Sequence, residues 1–264
     1  MRSLTSPRPA ATICVAAGLA ALLAAGVSAE TIQKGPAKVS VSGRLAPKAL
    51  PRRGEAPVKV TLAGHIVPTK KGKLPELRRI AFAINSAGHL DLRGLPVCRV
   101  GQIQPATNQE ALQTCRSSLV GEGEFAAAVK IPEQSPFPSA GKMLAFNGRL
   151  RGKPAILAHI YGTVPASTSY TLPFTVSHKR GAFGLILEAN LPHIAGEWGN
   201  ITNMSMTLGR TYRSHGKLHS YLSAGCPLPK GFTKASFPLA RASFEFSGGL
   251  NLQTTLERSC RVAG

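Results

Sequence analysis

Apolar and polar residues alternate along most of this chain, and short glycine-containing turns interrupt the alternation. The runs "KVSVSGRL" (38–45) and "VKVTLAGHI" (58–66) follow the pattern, and "RRIAFAIN" (78–85) continues it. Successive side chains of a strand project to opposite faces, so a period of two marks a strand with one buried face. Gly43 and Pro47 recur as Gly64 and Pro68 at an offset of 21, a weak internal repeat.

Hairpins follow in series. "KMLAFNGRL" turns through "RGKP" into "AILAHIYGT", and "YTLPFTVS" turns through "HKRG" into "AFGLILEANL". "NMSMTLGRTYR" turns through "SHGK" into "LHSYLS", and "ARASFEF" turns through "SGG" into "LNLQTTLERSC". Two alternating runs joined by a short turn of this kind predict a hairpin. Many short strands without alternating helices predict an all-β fold: antiparallel β-sandwich(es) built from serial hairpins. One helix is expected. Thr107 and Glu110 form a capping box, and "NQEALQTCRSSL" (108–119) places Ala111, Leu112, Cys115 and Leu119 on one face.

Residues 1–29 read as a cleaved export signal. Arg2 and Arg8 precede the apolar "TICVAAGLAALLAAGV", and small residues Val27, Ser28 and Ala29 precede Glu30. An uncleaved anchor is the alternative, since the apolar run is long enough to span a bilayer. A secreted or cell-surface location follows. Residues 30–131 form an N-terminal β region with the helix, and the Pro/Ser-rich "PEQSPFPSAG" (132–141) is a connector. Residues 142–264 form a C-terminal hairpin region, and the two regions are compatible with one domain or two.

Four cysteines follow the signal: Cys98, Cys115, Cys226 and Cys260. An even count in an exported chain predicts disulfides, with three possible connectivities. Proximity favours Cys98–Cys115 and Cys226–Cys260, each contributing about 3 kcal/mol in the chain-entropy account.

Long segments are similar to a family of uncharacterised exported β-rich proteins of high-GC Gram-positive bacteria. They are "GLPVCRVGQIQPATNQEALQTCRSSLVGEGEF", "PEQSPFPSAGKMLAFNGRLRGKPAILAHIYGT" and "YLSAGCPLPKGFTKASFPLARASFEFSGG". The resemblance implies export and a β-rich body, and brings no activity, cofactor or catalytic residue.

The stretch "SHGKLHSYLSAGC" (214–226) also resembles the motif of the cell-wall L,D-transpeptidases, with His215-Gly216 before Ser223-Ala224-Gly225-Cys226. It departs from that family in two ways. The histidine-to-cysteine spacing is short, and Pro227-Leu228 stands where an arginine is expected. A nucleophilic cysteine needs a thiolate and a base within hydrogen-bond reach. Cys226, His215 and His219 are thus weak catalytic candidates, and a structural disulfide is the favoured role for Cys226. His215 and His219 are four apart, but Gly216 in a turn breaks the helix that would align them on a metal. No metal centre or cofactor is expected.

Asp91 is the only aspartate, which excludes Asp-rich calcium loops. Two-carboxylate hydrolysis would have to draw on Glu122, Glu124, Glu133, Glu188 and Glu197, and Glu122 and Glu124 beside glycines read as an edge or turn. The single tryptophan, Trp198, next to Glu197, reads as a loop closing over the core.

Charge is the strongest functional signal. The whole chain carries 32 basic and 12 acidic residues; without the two arginines of the signal the net charge is +18. The cations sit largely at turns and strand ends: Arg52, Arg53, Lys70, Lys71, Lys73, Arg149, Arg151, Lys153, Lys179 and Arg180, with Arg78, Arg79 and 210–217. Solvated turns explain the polarity of these positions but not its sign, because turns recruit Asp freely. The expected function is therefore a non-catalytic binding or envelope-associated module. Its expected partners are an anionic cell-wall polymer or anionic membrane surface, and non-specifically nucleic acid. An L,D-transpeptidase-like enzyme and a structural matrix component are the alternatives.

Overall fold

A computed structural model describes residues 29–130, 133, 135–164, 167–191 and 199–263. The expected export signal, apart from Ala29, lies outside the described residues. So do positions 131, 132 and 134 around the start of the connector.

The alternating runs form strands as expected. In β2 (Ala37–Ala46), Ala37, Val39, Val41 and Leu45 are buried while Lys38 and Arg44 are exposed. It pairs with β1 (Glu30–Lys34) on one side and β5 (Lys59–Pro68) on the other. Two minor strands, β3 (Ala49–Leu50) and β4 (Ala56–Pro57), lie between β2 and β5 in the chain. Next come β6 (Leu77–Asn85), β7 (Gly88–Leu90), and helices α1 (Val100–Ile103) and α2 (Asn108–Cys115). They are followed by β8 (Leu119–Val129), β9 (Phe137–Leu150), β10 (Lys153–Gly162), β11 (Thr168–His178) and β12 (Phe183–Asn190). The remaining strands are β13 (Gly199–Leu208), β14 (Thr211–Ser214), β15 (Lys217–Ser220), β16 (Leu222–Ala224), β17 (Lys234–Phe246) and β18 (Asn251–Val262).

Thirteen of these strands join one sheet in the order β1-β2-β5-β13-β8-β9-β10-β11-β12-β6-β17-β18-β3. Every pairing within it is antiparallel except β18 with β3. Among the described residues the chain therefore adopts the all-β, antiparallel class, with α2 as a short stapled helix and α1 as a single turn before it. The sheet is continuous and coils on itself, so its own opposite walls face each other across the core. Strands from both sides of the connector share it, since β8 pairs with β9 directly.

Coiling this tight needs close backbone approach. A Cβ on Gly121 of β8 would lie 2.3 Å from the Thr207 carbonyl oxygen, and one on Gly123 would lie 1.9 Å from that of Ser205. Only glycine fits there. Glu122 and Glu124 are therefore on the exposed face of an interior strand between β13 and β9, not at an edge or turn.

The coiled sheet brings β18 against β1 and β2 without a backbone ladder between them. Arg258 of β18 closes this seam by donating to the Glu30 carboxylate at 2.5 Å and to the Gly43 carbonyl at 2.5 Å. On the outer face, Arg79 of β6 joins Glu188 of β12 at 3.1 Å and also pairs with Glu245 of β17.

Three of the expected hairpins form as read: β9–β10, β11–β12 and β17–β18. The fourth run divides. "NMSMTL" belongs to β13, between β5 and β8, and only "TYRS" pairs with "KLHS" as β14–β15. Gly209, at φ +149 and packed against the Val58 carbonyl oxygen, breaks the strand between them.

The capping box forms as read. Thr107 Oγ1 accepts from the Glu110 amide at 3.2 Å, and the Glu110 carboxylate accepts from the Thr107 amide at 2.7 Å. The α-helix ends at Cys115, and a short 3-10 turn (Arg116–Ser118) follows it. This helical segment covers the outer face of β9 and β10, where Ile103 and Ala111 pack with Leu144, Phe146 and Leu157. Cys98–Cys115 staples it there, with Cα atoms 5.7 Å apart.

Cys226–Cys260 has Cα atoms 6.1 Å apart and ties the segment after β16 to β18 across a separation of 34 residues. Replacing both cysteines by serine should lower the unfolding free energy by about 4 kcal/mol, from the loop length. Guanidinium denaturation of the oxidised protein measures this, and an unchanged midpoint would refute a structural role. Arg258→Leu should cost about 1–3 kcal/mol, because it leaves the Glu30 carboxylate unpaired at a half-buried seam. A loss of less than about 0.5 kcal/mol, the usual range for surface substitutions, would mean the seam holds without Arg258.

Candidate functional site

The stretch 214–226 is split among different structural tasks. His215, at φ 49, and Gly216, at φ 76, form the tip of the β14–β15 hairpin, and both are exposed. Cys226 is fully buried and its sulfur is bonded to that of Cys260. In this state it has no thiolate to offer, and a disulfide sulfur cannot serve as the attacking group.

His219 is the member of the stretch held by the chain's single aspartate. Its Nδ1 lies 3.0 Å from Asp91 Oδ2, and its ring stacks on Tyr212 with centroids 5.5 Å apart. Arg93 donates to Asp91 from Nε at 2.9 Å, from Nη2 at 3.0 Å and from its backbone amide at 3.0 Å. The Tyr212 hydroxyl donates to the carbonyls of Asp91 and Arg93 at 3.2 and 2.9 Å. Alongside, His89 Nε2 lies 3.1 Å from Glu55, whose other carboxylate oxygen accepts from Ser223. The hairpin β14–β15 brings these groups to β7, and a shallow depression runs between them.

A carboxylate-held imidazole is a geometry that can move a proton. The hydroxyls in this depression are committed elsewhere: Ser220 donates to the Leu222 carbonyl at 2.6 Å, and Ser223 to Glu55. Neither is held against the imidazole. Among the described residues, no group of three His, Cys, Asp or Glu is placed to hold a metal ion. The cluster's evident work is to lock the β14–β15 hairpin onto the segment around Asp91. Sequence reasoning missed it, although the chain's single aspartate was the available signal.

The basic residues fall at both ends of the sheet. Strand directions follow from the pairings, and they put the β5–β6 loop, with Lys70, Lys71 and Lys73, at one end. Arg53 and the turns β9–β10 and β11–β12 lie at the other. All of these cations are exposed. Arg149 also donates to the Gly152 carbonyl at 3.1 Å, bracing its own turn. Because Ala155 opposes Thr175, Lys153 lies beside the strand end that leads into Lys179 and Arg180. The two turns therefore form a continuous rim holding Arg149, Arg151, Lys153, Lys179 and Arg180, and neither turn contains an acid.

Arg52 is different. Its guanidinium donates to the carbonyls of Leu228 at 2.7 Å and Phe232 at 2.9 Å, and also to that of Pro229. It pins the 228–232 loop and is committed to the fold. Arg210 likewise donates to the carbonyls of Ser117 at 2.7 Å and Leu119 at 2.9 Å. Trp198, Glu197 and His193 lie outside the described residues.

Among the described residues no helix is long and apolar enough to cross a membrane. Comparison of the chain with family models, curated proteins and solved structures returns no match.

The Arg93 guanidinium, followed by His219 and the Arg93 amide, holds the Asp91 carboxyl well below the usual carboxylate range, against the opposing effect of burial. A depressed folded-state value contributes stability above the unfolded value and loses it as pH falls through the folded one. Asp91→Asn should therefore lower the melting temperature at neutral pH. The gap to wild type should narrow only in strong acid, below the ordinary aspartate value of 3.8. Thermal unfolding of both proteins across that range measures it; a gap already closed at pH ~4, about the unperturbed aspartate value, would contradict the assignment.

Proposed function

We propose that this protein is an exported, non-catalytic binding module that takes anionic polymers of the cell envelope on its basic rim. The observation that carries the reading is the pair of adjacent turns, β9–β10 and β11–β12, with five exposed cations and no acid. Repeated negative charge on a flexible polymer matches such a rim without demanding a shaped pocket. Export is supported by the apolar N-terminal segment and by two disulfides, which persist in oxidising compartments. Arg79 and Arg258 are consumed by ion pairs and Arg52 by carbonyls, so the rim stands out as exposed cationic surface in which only Arg149, bracing its own turn, has a described bond to the fold. Cell-surface attachment by charge would then be reversible and would depend on ionic strength.

The test is binding to purified cell-wall phosphopolymer at two salt concentrations. The Debye length falls from about 10 Å at 0.1 M salt to about 3 Å at 1 M, so retention should collapse across that range. Replacing Arg151, Lys153, Lys179 and Arg180 by glutamine should weaken binding at least ~10-fold at low salt, about 1.4 kcal/mol. The same change at Lys70, Lys71 and Lys73, at the other end, should have the smaller effect. DNA and anionic vesicles serve as comparators. Equal binding by wild type and rim variant, or none by either, would overturn the proposal.

A further inference from the structure

The interior of the coiled sheet is not filled. Inward-facing side chains of β5, β6, β13 and β17, with those of the facing wall, line a partly open cavity of about 80 Å³. All its lining residues are apolar; Val60, Leu62, Phe82, Ile201, Met204 and Met206 keep partial exposure although they point inward.

Gly64 gives an independent measure of the hollow. It lies on the inward-facing register of β5 between Leu62 and Ile66, and a Cβ built there would meet nothing within 4 Å. On the neighbouring strand, by contrast, a Cβ on Gly43 would lie 2.9 Å from Leu256. Native interiors are close-packed, with few voids larger than a water molecule. Water does not suit this one, because a buried water needs two to four polar partners and the lining offers no polar side chain.

The wall composition narrows the occupant further. Apart from Met1, the chain's only methionines are Met143, Met204 and Met206, and all three line this cavity. Methionine's unbranched, rotatable side chain makes adaptable walls that suit a flexible ligand. An apolar cavity of roughly 150 Å³ admits benzene, so the observed space holds a few methylenes, and seating a longer chain requires the methionine side chains to rotate. A rigid, bulky ring system has no such route in. The chain's excess of 32 basic over 12 acidic residues favours an anionic head on whatever enters.

We propose that this cavity is the binding site for an acyl chain, either of a free fatty acid or of an anionic lipid. This goes beyond polymer binding at the rim and does not depend on it. The probe is cis-parinaric acid, a fatty acid without a ring whose own polyene chain fluoresces, titrated into the full secreted protein after organic extraction. Saturable binding of one probe per protein with enhanced emission is expected. Gly64→Leu, which fills the space, should weaken probe binding at least ~10-fold, about 1.4 kcal/mol, while leaving the melting temperature unchanged or higher. Met206→Phe serves as a second filling variant should Gly64→Leu fail to fold.

The glutamine variant of the basic rim should bind the probe as wild type does, which separates this proposal from the previous one. Competition by palmitate and by phosphatidylglycerol in detergent distinguishes free acid from lipid as the source. No saturable binding, or binding unchanged in both filling variants, would overturn the proposal.

Discussion

A coiled sheet must do something with its two outermost strands, because each presents unpaired backbone groups that invite pairing with another chain. Here β1 and β18, the last long strand before the two-residue β3, approach each other but form no ladder; Arg258 joins them through Glu30 and the Gly43 carbonyl, and Leu256 packs against Gly43. Short β3 then covers part of β18 in parallel. The arrangement leaves the walls free to bend where glycines allow it, at Gly121 and Gly123. A regular ladder around the full circumference would instead tie strand number, tilt and stagger together. The interior cavity exists because the sheet curls, whereas the basic rim needs only the direct pairing of β10 with β11.

Local structure was legible in the sequence to a good depth. Alternation located β2, β5 and β6, and the turns "RGKP", "HKRG" and "SGG" located three hairpins, because both are set by neighbouring residues. The capping box placed the start of α2 for the same reason. Pairing between distant strands was not legible. β13 sits between β5 and β8, far from both in the chain, and nothing in "NMSMTL" records that partnership. The same alternation suits a hairpin arm or an interior strand, which is why that run read as one arm extending through Gly209. A coiled single sheet and a sandwich also share one pattern, since each buries one face of each strand.

The candidate sites divide along the same line. Proximity sufficed to pair the cysteines, whereas the partners Asp91 and His219 are 128 residues apart. Their meeting depends on where β14–β15 folds back. Sequence alone found the cations but not their grouping into a rim, nor that Arg52 and Arg210 are spent on carbonyls. The three methionines were visible as residues. Only the fold shows that they surround one space.

The position of β17 and β18 has a consequence for the order in which the molecule can form. β6 lies between β12 and β17, and β17 in turn carries β18, which holds the seam and half of the Cys226–Cys260 link. Nearly nine-tenths of the chain can emerge while β6 still lacks one neighbour and β1 has nothing to close against, since β17 begins at Lys234 of 264 residues. Local hairpins such as β9–β10 form early, because short loops close at little entropic cost. The contacts that close the sheet wait for the last hairpin, as expected of a β topology rich in distant pairings. Until then the chain carries open strand edges and an uncovered apolar wall, the features that make incomplete β proteins stick to one another. Folding is therefore governed from the carboxyl end: a chain cut short there loses not one hairpin but the means of closing the whole sheet.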